Sequence, residues 1–421
     1  MTTGLTTIRA GFIPLTDAAP LIVARTQGFA EREGIDLQLS QETSWATIRD
    51  RLAVGQLDVA HALAPLPIAG NLGLGPLDPS LIVPAALGFG GNTIVMATRH
   101  WDALRARGCP DDLDPARTAD AVADYIRSRD QSGERRLSLG VVHPHSAHRY
   151  KLAYWLASRG ILAGRDVDFV VLPPPLMSAA LEAGRIDGFC AGEPWGSVAT
   201  RAGAGVVLTT TAQIWRSSPE KVLAVRTAFA DRDADSVLSL VRAIKAASVW
   251  CDAAENRDAL ADTLSAPGHV AQPVDVIRPG LDARVTRPSG DALVVPGFMT
   301  FDAGAATFPW ASHALWFAAQ MARWGEIQLD EASVAAVRAT YRPSMYRRAL
   351  AETGVDLPAA NAKVEGSIAA PRPIGSTHGS LTLDPDGFFD GRVFDPDSLA
   401  DYLGELTEHD GRRPAGDGRG H

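Results

Sequence analysis

The chain has 421 residues, enough for roughly two or three domains of ordinary size. With 46% hydrophobic and 21% charged residues, it is excluded from the class of mostly disordered chains. The 40 basic and 49 acidic residues leave a net charge of −9, which argues against holding nucleic acid through the overall field while leaving room for a local anion pocket. Three scattered cysteines, Cys109, Cys190 and Cys251, make neither a disulfide framework nor a cysteine zinc site. Only four of the 40 basic residues are lysines: Lys151, Lys221, Lys245 and Lys363. In so arginine-rich a chain, a lysine is a weak hint at a place where a compact ammonium is wanted, although drift explains any single one better.

The first residues, MTTGLTTIRAGFIPLTDAAPLIVARTQGF, have no basic start and no uninterrupted apolar run. With no apolar stretch long enough to span a bilayer, the expectation is a cytoplasmic protein. TIRAGFI reads as a strand, followed by a helix over APLIVARTQGF that Thr16 or Asp17 can cap. GIDLQLS is a strand. Ser44 caps a helix over WATIRDRLAV, and Gly55 stops it. LDVAHAL is a strand and PLPIAGNLGL a helix. This βαβαβ series is the pattern of an open parallel sheet.

A charged, irregular stretch runs from about Arg105 to Arg136, and a second series follows. RLSLGVV is a strand, SAHRYKLAYWLAS a helix, VDFVVL a strand, PPLMSAALEAG a helix and IDGFCAG a strand. Two similar α/β lobes facing a cleft are the natural assembly, with ligands at the carboxyl ends of strands and at helix starts. From Asp233 onward the reading is helical to about residue 350. Turn-rich pieces follow, and the end, EHDGRRPAGDGRGH, reads as disordered.

The junctions between strands and helices carry the candidate chemistry. Trp45 follows the capping Ser44, where an indole N–H joins outward-facing backbone N–H groups; a core tryptophan is the alternative. Gly91 and Asn92 lie in LGFGGNTIV, where paired glycines allow close backbone approach; a plain turn is the alternative. His143, His145 and His148 lie in VVHPHSAHRYK. Their spacing is not that of a metal motif and no carboxylate accompanies them, so His148 reads as a donor at a helix start. Glu193, Pro194 and Trp195 follow a buried strand and suit a hinge. Lys221 leads into the strand VLAVR, and from the residues alone the favoured reading is half of a solvated Glu220–Lys221 surface pair. No nucleophile–base arrangement and no P-loop occur. An enzyme therefore has no positive support, and no metal or cofactor is expected.

Taken in order, GFIPLTDAAPLIVA, SWATIRD, DVAHALAPLP, the HSAH run, VVLPPP, FCAGEPW, IWRSSPEKVLAVR and SHALWFAAQMARWG resemble the nitrate-binding protein family. That family includes NrtA/CmpA-type substrate-binding proteins of nitrate and bicarbonate transporters and the cytoplasmic nitrate/nitrite sensor NasS. The tail with FFDGRVFDP is similar to the sensor branch. The resemblance implies a periplasmic-binding-protein type II fold: two α/β lobes, a two-strand hinge and a cleft. It implies lobe 1 over residues 1–97 and 205–350, lobe 2 over 98–204, and an extension over 351–421. It further implies nitrate or nitrite held by Trp45, Gly91, Asn92, His148 and Lys221, with Thr16, Asp17, Pro173, Glu193, Pro194 and Trp195 in supporting or hinge roles. Bicarbonate-binding relatives carry an acidic residue at the position of Lys221, which favours nitrate or nitrite here; the family often has glutamine where this chain has the shorter Asn92. For the sensor branch, the implied partner is an ANTAR-type RNA-binding antiterminator held by the ligand-free protein and released on anion binding. The alternatives are the periplasmic binding protein of a nitrate transporter and a pyrimidine-precursor synthase of the same fold, which the isolated cysteines disfavour.

Overall fold

A computed structural model describes residues 4–77 and 79–411. Eleven strands run from Thr6 to Arg226: β1 (Thr6–Phe12), β2 (Ile35–Gln41), β3 (Val59–Leu63), β4 (Leu81–Ala86), β5 (Phe89–Gly90), β6 (Asn92–Ala97), β7 (Leu137–Val141), β8 (Val167–Val171), β9 (Gly188–Gly192), β10 (Gly205–Thr210) and β11 (Lys221–Arg226). Among the described residues, ten of these form two five-stranded sheets, in the orders β2-β1-β3-β11-β4 and β10-β6-β9-β7-β8, while β5 pairs antiparallel with Met299 and Thr300. Within each βαβαβ series the strands pair parallel, as the alternating pattern predicts. The sheets are nonetheless mixed. The chain crosses between them twice, and the strands at these crossings pair antiparallel. This is the expected two-lobe fold.

The lobe boundaries move from those expected. Strands β6 and β10 belong to the second sheet, so the crossings lie between Ala86 and Asn92 and between Thr210 and Lys221, not at residues 97 and 205. The apolar run LIVPAALGFGGNTIVMA hides this, because it reads through without a polar break. Glycines divide it: a side chain on Gly88 (φ +128°) would meet Thr300 O at 2.5 Å, and one on Gly90 (φ +70°) would meet Phe298 O at 2.2 Å. Only glycine lets the first crossing lie this close to the loop that covers it.

The stretch read as irregular contains a 17-residue helix, Pro115–Gln131. Asp114 caps it and Pro115 opens it, while Ala119, Val122 and Ile126 face the core at helical spacing. Its dense charges, solvated on the other face, masked that stripe. The helix Ala234–Asp252 lies on Ala19–Thr26 and closes the first lobe.

The C-terminal extension is part of the core. Trp215, on the second crossing, stacks on Phe388 with centroids 4.6 Å apart and lies 4.7 Å from Trp316. The backbone of this segment bonds the crossing directly: Phe389 N donates to Ile214 O and Arg216 N to Gly387 O. Tyr154, on the second lobe, donates to Asp390 at 2.8 Å. A buried cluster in which Lys363 meets Glu365 and Asp386 anchors the extension's start. The start of the end read as disordered is ordered, because Leu399–His409 is a helix and Asp410 pairs with Arg323 at 2.7 Å; the remainder of that expectation lies outside the described residues. Replacing Phe388 with Ala should cost about 3 kcal/mol, the usual penalty for emptying a buried aromatic site. Urea unfolding monitored by tryptophan fluorescence measures it, and an unchanged midpoint would mean that the extension does not stabilise the lobes.

Candidate functional site

Strand β1 delivers the chain to a turn, Thr16–Ala18, whose residues are wholly or nearly buried. Neither Thr16 nor Asp17 caps the following helix, contrary to the sequence reading. Asp17 has stronger partners. Its Oδ2 accepts from Lys221 Nζ at 2.7 Å, and its Oδ1 lies 3.0 Å from His61 Nε2. Lys221 also donates to Glu220 at 3.1 Å, so the Glu220–Lys221 pair is buried and not a surface pair. From the second lobe, Lys151 donates to Glu220 at 2.9 Å, to Ser218 Oγ at 2.9 Å and to Pro219 O at 2.8 Å. A chain of four buried charges, Asp17–Lys221–Glu220–Lys151, thus joins the two lobes.

Around this chain stand polar atoms with no partner. Trp45 follows its Ser44 cap, which accepts from Thr47 N at 3.1 Å. Its ring lies 5.7 Å from Lys221 Nζ and 5.5 Å from His61, and its indole N–H is buried and unpartnered. Asn92 opens β6; it is fully buried, and both ends of its amide lack a hydrogen bond. Gly192 marks how near Asn92 comes to Asp17: a Cβ there would be 3.3 Å from Asn92 Oδ1 and 3.6 Å from Asp17 Oδ2. His148, at the start of the helix Ala147–Ala157 capped by Ser146, has no hydrogen bond to either ring nitrogen, and its Nδ1 lies 3.4 Å from Glu220. Thr16 Oγ1 is likewise unpartnered. Buried polar groups without partners are rare, and a group of them on one spot is an arrangement that a small polar ligand can complete.

The charges are balanced. Burial alone would push Asp17 up, but Lys221 and His61 hold it below the usual carboxylate range. Burial opposes the ionisation of Glu220 as well, yet Lys151 and Lys221 keep it well below that range. Burial depresses Lys221, but Asp17 and Glu220 more than compensate, and its pKa is raised. Burial dominates at Lys151, whose pKa is lowered despite Glu220. Burial also lowers His61, and takes His148 down to about 3 and His143 to about 4, leaving the imidazoles neutral near pH 7. The positive charge of Lys221 is therefore not free to balance an anion; two of its three N–H bonds are already used by carboxylates.

The remaining residues named from the sequence divide. Gly91 (φ +85°) accepts from Glu193 N at 2.8 Å, and Glu193 O accepts from Thr16 N at 2.8 Å, so this strand end ties the first crossing to the first lobe. The Glu193 carboxyl meets Thr93 and Ser197 N, and no basic side chain. Glu193–Pro194 is a cis peptide, and Trp195 Nε1 donates across the cleft to Pro14 O at 3.1 Å. Pro173 lies beyond β8, at the sheet edge opposite β10, away from both crossings. Three site residues were missed: His61, Lys151 and Glu220. Their signal was present, since His61 is the one polar residue in VAHAL and Lys151 interrupts an apolar helix.

Two α/β lobes, two crossings and a buried polar cluster between them define a two-lobe binding protein of the periplasmic-binding-protein type II class. The chain belongs to the NMT1-like family, whose profile matches residues 2–265. The nitrate/nitrite binding protein NrtA of Nostoc sp. is 30% identical over 410 residues, covering 95% of this chain and 86% of that protein. The bicarbonate-binding protein CmpA of Synechococcus sp. is 30% identical over 412 residues with the same coverage. The nitrate import ATP-binding protein NrtC of Synechocystis sp. is 33% identical over 402 residues, and this chain spans 55% of its length. The crystal structure of the periplasmic nitrate-binding protein NrtA from Synechocystis superposes with a TM-score of 0.83 at 26% identity, covering 96% of this chain and 98% of that one.

The depressed histidines make the ligand-free protein acid-sensitive. The unfolded chain takes up protons at His143 and His148 near pH 6.5, whereas the folded chain resists until about 4 and about 3. Stability is therefore lost as pH falls below the unfolded value. Between pH 7 and pH 5 each histidine should remove about 2 kcal/mol. Urea midpoints at the two values measure the loss, and equal midpoints would contradict the burial of neutral imidazoles.

Proposed function

We propose that this protein binds nitrate or nitrite between its lobes, with Trp45, Asn92, His148 and Lys221 supplying the donors and Gly91 the close backbone approach. The observation that carries this reading is the convergence of unpartnered, buried N–H groups on one spot at the interlobe junction. Nitrate is a weakly basic monoanion with three acceptor oxygens and no proton to give, so it needs donors from several directions. Bicarbonate brings a hydroxyl that wants an acceptor; the relatives' names include both anions, and the lysine at position 221 favours nitrate or nitrite. Isothermal titration should give a Kd of roughly micromolar order, about 8 kcal/mol of binding free energy. Trp45→Phe keeps the ring and removes one donor, so it should weaken binding about 10- to 100-fold without moving the thermal midpoint. Heat with bicarbonate and none with nitrate or nitrite would overturn the reading.

We further propose that the anion acts as a signal and that the protein works as a cytoplasmic sensor. In this reading the empty protein holds an ANTAR-type antiterminator, and nitrate or nitrite releases it, controlling nitrate-assimilation genes. Support comes from the sensor-like FFDGRVFDP segment. Phe388, Phe389 and Asp390 touch the second crossing and the second lobe, while Val393 beside them is 47% exposed, so lobe closure has a short route to the surface. Anion and partner favour different lobe arrangements, and each must weaken the other by the same factor. The second reading, a transporter's binding subunit, is favoured by the superposition on periplasmic NrtA. Among the described residues no helix is long and apolar enough to cross a membrane. Size-exclusion chromatography with a purified antiterminator separates the two: the sensor reading expects a complex that nitrate dissociates. A complex indifferent to nitrate and nitrite, or no complex, would return the protein to transport.

A further inference from the structure

The nitrate reading leaves an electrostatic question on which the following inference rests. The anion enters a site whose fixed charges already cancel: Asp17 and Glu220 against Lys221 and Lys151. Donor dipoles can solvate a monoanion there, yet no unpaired cation is present among these groups. His148 stands between the two negative partners. Its Nδ1 lies 3.4 Å from the Glu220 carboxylate, and its Nε2, buried and unpartnered, is left for the ligand.

A neutral imidazole carries one N–H and one lone pair. With Nδ1 protonated, it serves Glu220 and turns a lone pair on the anion. With Nε2 protonated, it serves the anion and turns a lone pair on Glu220. Either tautomer opposes one negative group, and only the imidazolium donates to both. Without an anion the balance runs the other way. Burial, Lys221 from β11 and Lys151 from the same helix outweigh Glu220 and Asp17, and the ring stays neutral. Cys190, on β9 nearby, keeps its proton because burial raises its thiol, and His61 is occupied with Asp17.

We propose that nitrate binding is accompanied by uptake of a proton onto His148, so that the site takes up an anion and a proton together. The proton comes from solvent, no covalent bond changes, and the imidazolium supplies the compensating charge that Lys221 does not. Affinity then falls as pH rises, by up to about tenfold per pH unit where the bound histidine is charged and the empty one neutral.

Titration of nitrate into the protein at pH 7, in buffers of low and high ionisation enthalpy, reads the protons directly. The expected result is about one proton taken up per anion, with the dependence lost in His148→Gln. Should that variant fail to bind, imidazole ¹⁵N shifts of the wild-type protein identify the site: both His148 nitrogens should move to the imidazolium position when nitrate is added. Nitrate heat that is equal in all buffers would overturn the proposal while leaving the nitrate reading intact. Proton uptake with His148 still neutral would also overturn it. No heat with nitrate in any buffer would take down the reading on which it stands.

Discussion

The run of four buried charges from Asp17 through Lys221 and Glu220 to Lys151 governs the rest of the site. Taking each ion out of water costs several kcal/mol, and only close, opposite partners offset it. Removing any one member leaves an uncompensated buried charge, typically a loss of 3–5 kcal/mol. The chain starts on the turn after β1, passes through the last residue before β11 and the first residue within it, and ends on a helix of the second lobe. It therefore fastens the lobes at the place where the ligand would lie. Affinity and closure share the same atoms, and a residue such as Lys221 is at once a fastening and a candidate ligand.

That fastening works only because the surrounding frame is stiff. Glycines at positions 88 and 90 let one crossing pass tightly under the loop at 297–300, and the stacked rings of Trp215, Phe388 and Trp316 pin the other. The C-terminal segment closes over both lobes and the second crossing together. Under the proposed sensor role, these contacts are where a shift of one lobe would reach the extension.

Each βαβαβ unit was legible because its alternation is a local property of the sequence, and in the first unit Ser44 starts a helix and Gly55 stops it. The helix Pro115–Gln131 was not, since its charged face outweighs a narrow apolar stripe. Trp45 and His148 could be singled out from helix starts, because capping residues announce them. Asp17 was misread: an Asp before a helix ordinarily caps it, but here a lysine 204 residues away is the better partner. Such long-range pairing leaves no periodic trace. The scarcity of lysine was the better guide. All four meet carboxylates, and the side chains of Lys151 and Lys221 are 1% exposed. Compact ammonium groups stand where arginine's broad fork would not fit a tight, doubly bonded site.

The central claim is that the unpartnered donors of Trp45, Asn92 and His148, together with the third N–H of Lys221, are completed by a single small anion. A high-resolution crystal structure of the protein grown with nitrate is the decisive measurement. The expected result is a planar anion between the lobes with its oxygens at hydrogen-bond distance from Trp45 Nε1, Asn92 Nδ2, a His148 ring nitrogen and Lys221 Nζ. A nitrate bound elsewhere, with these atoms still unpartnered or met only by water, would contradict it.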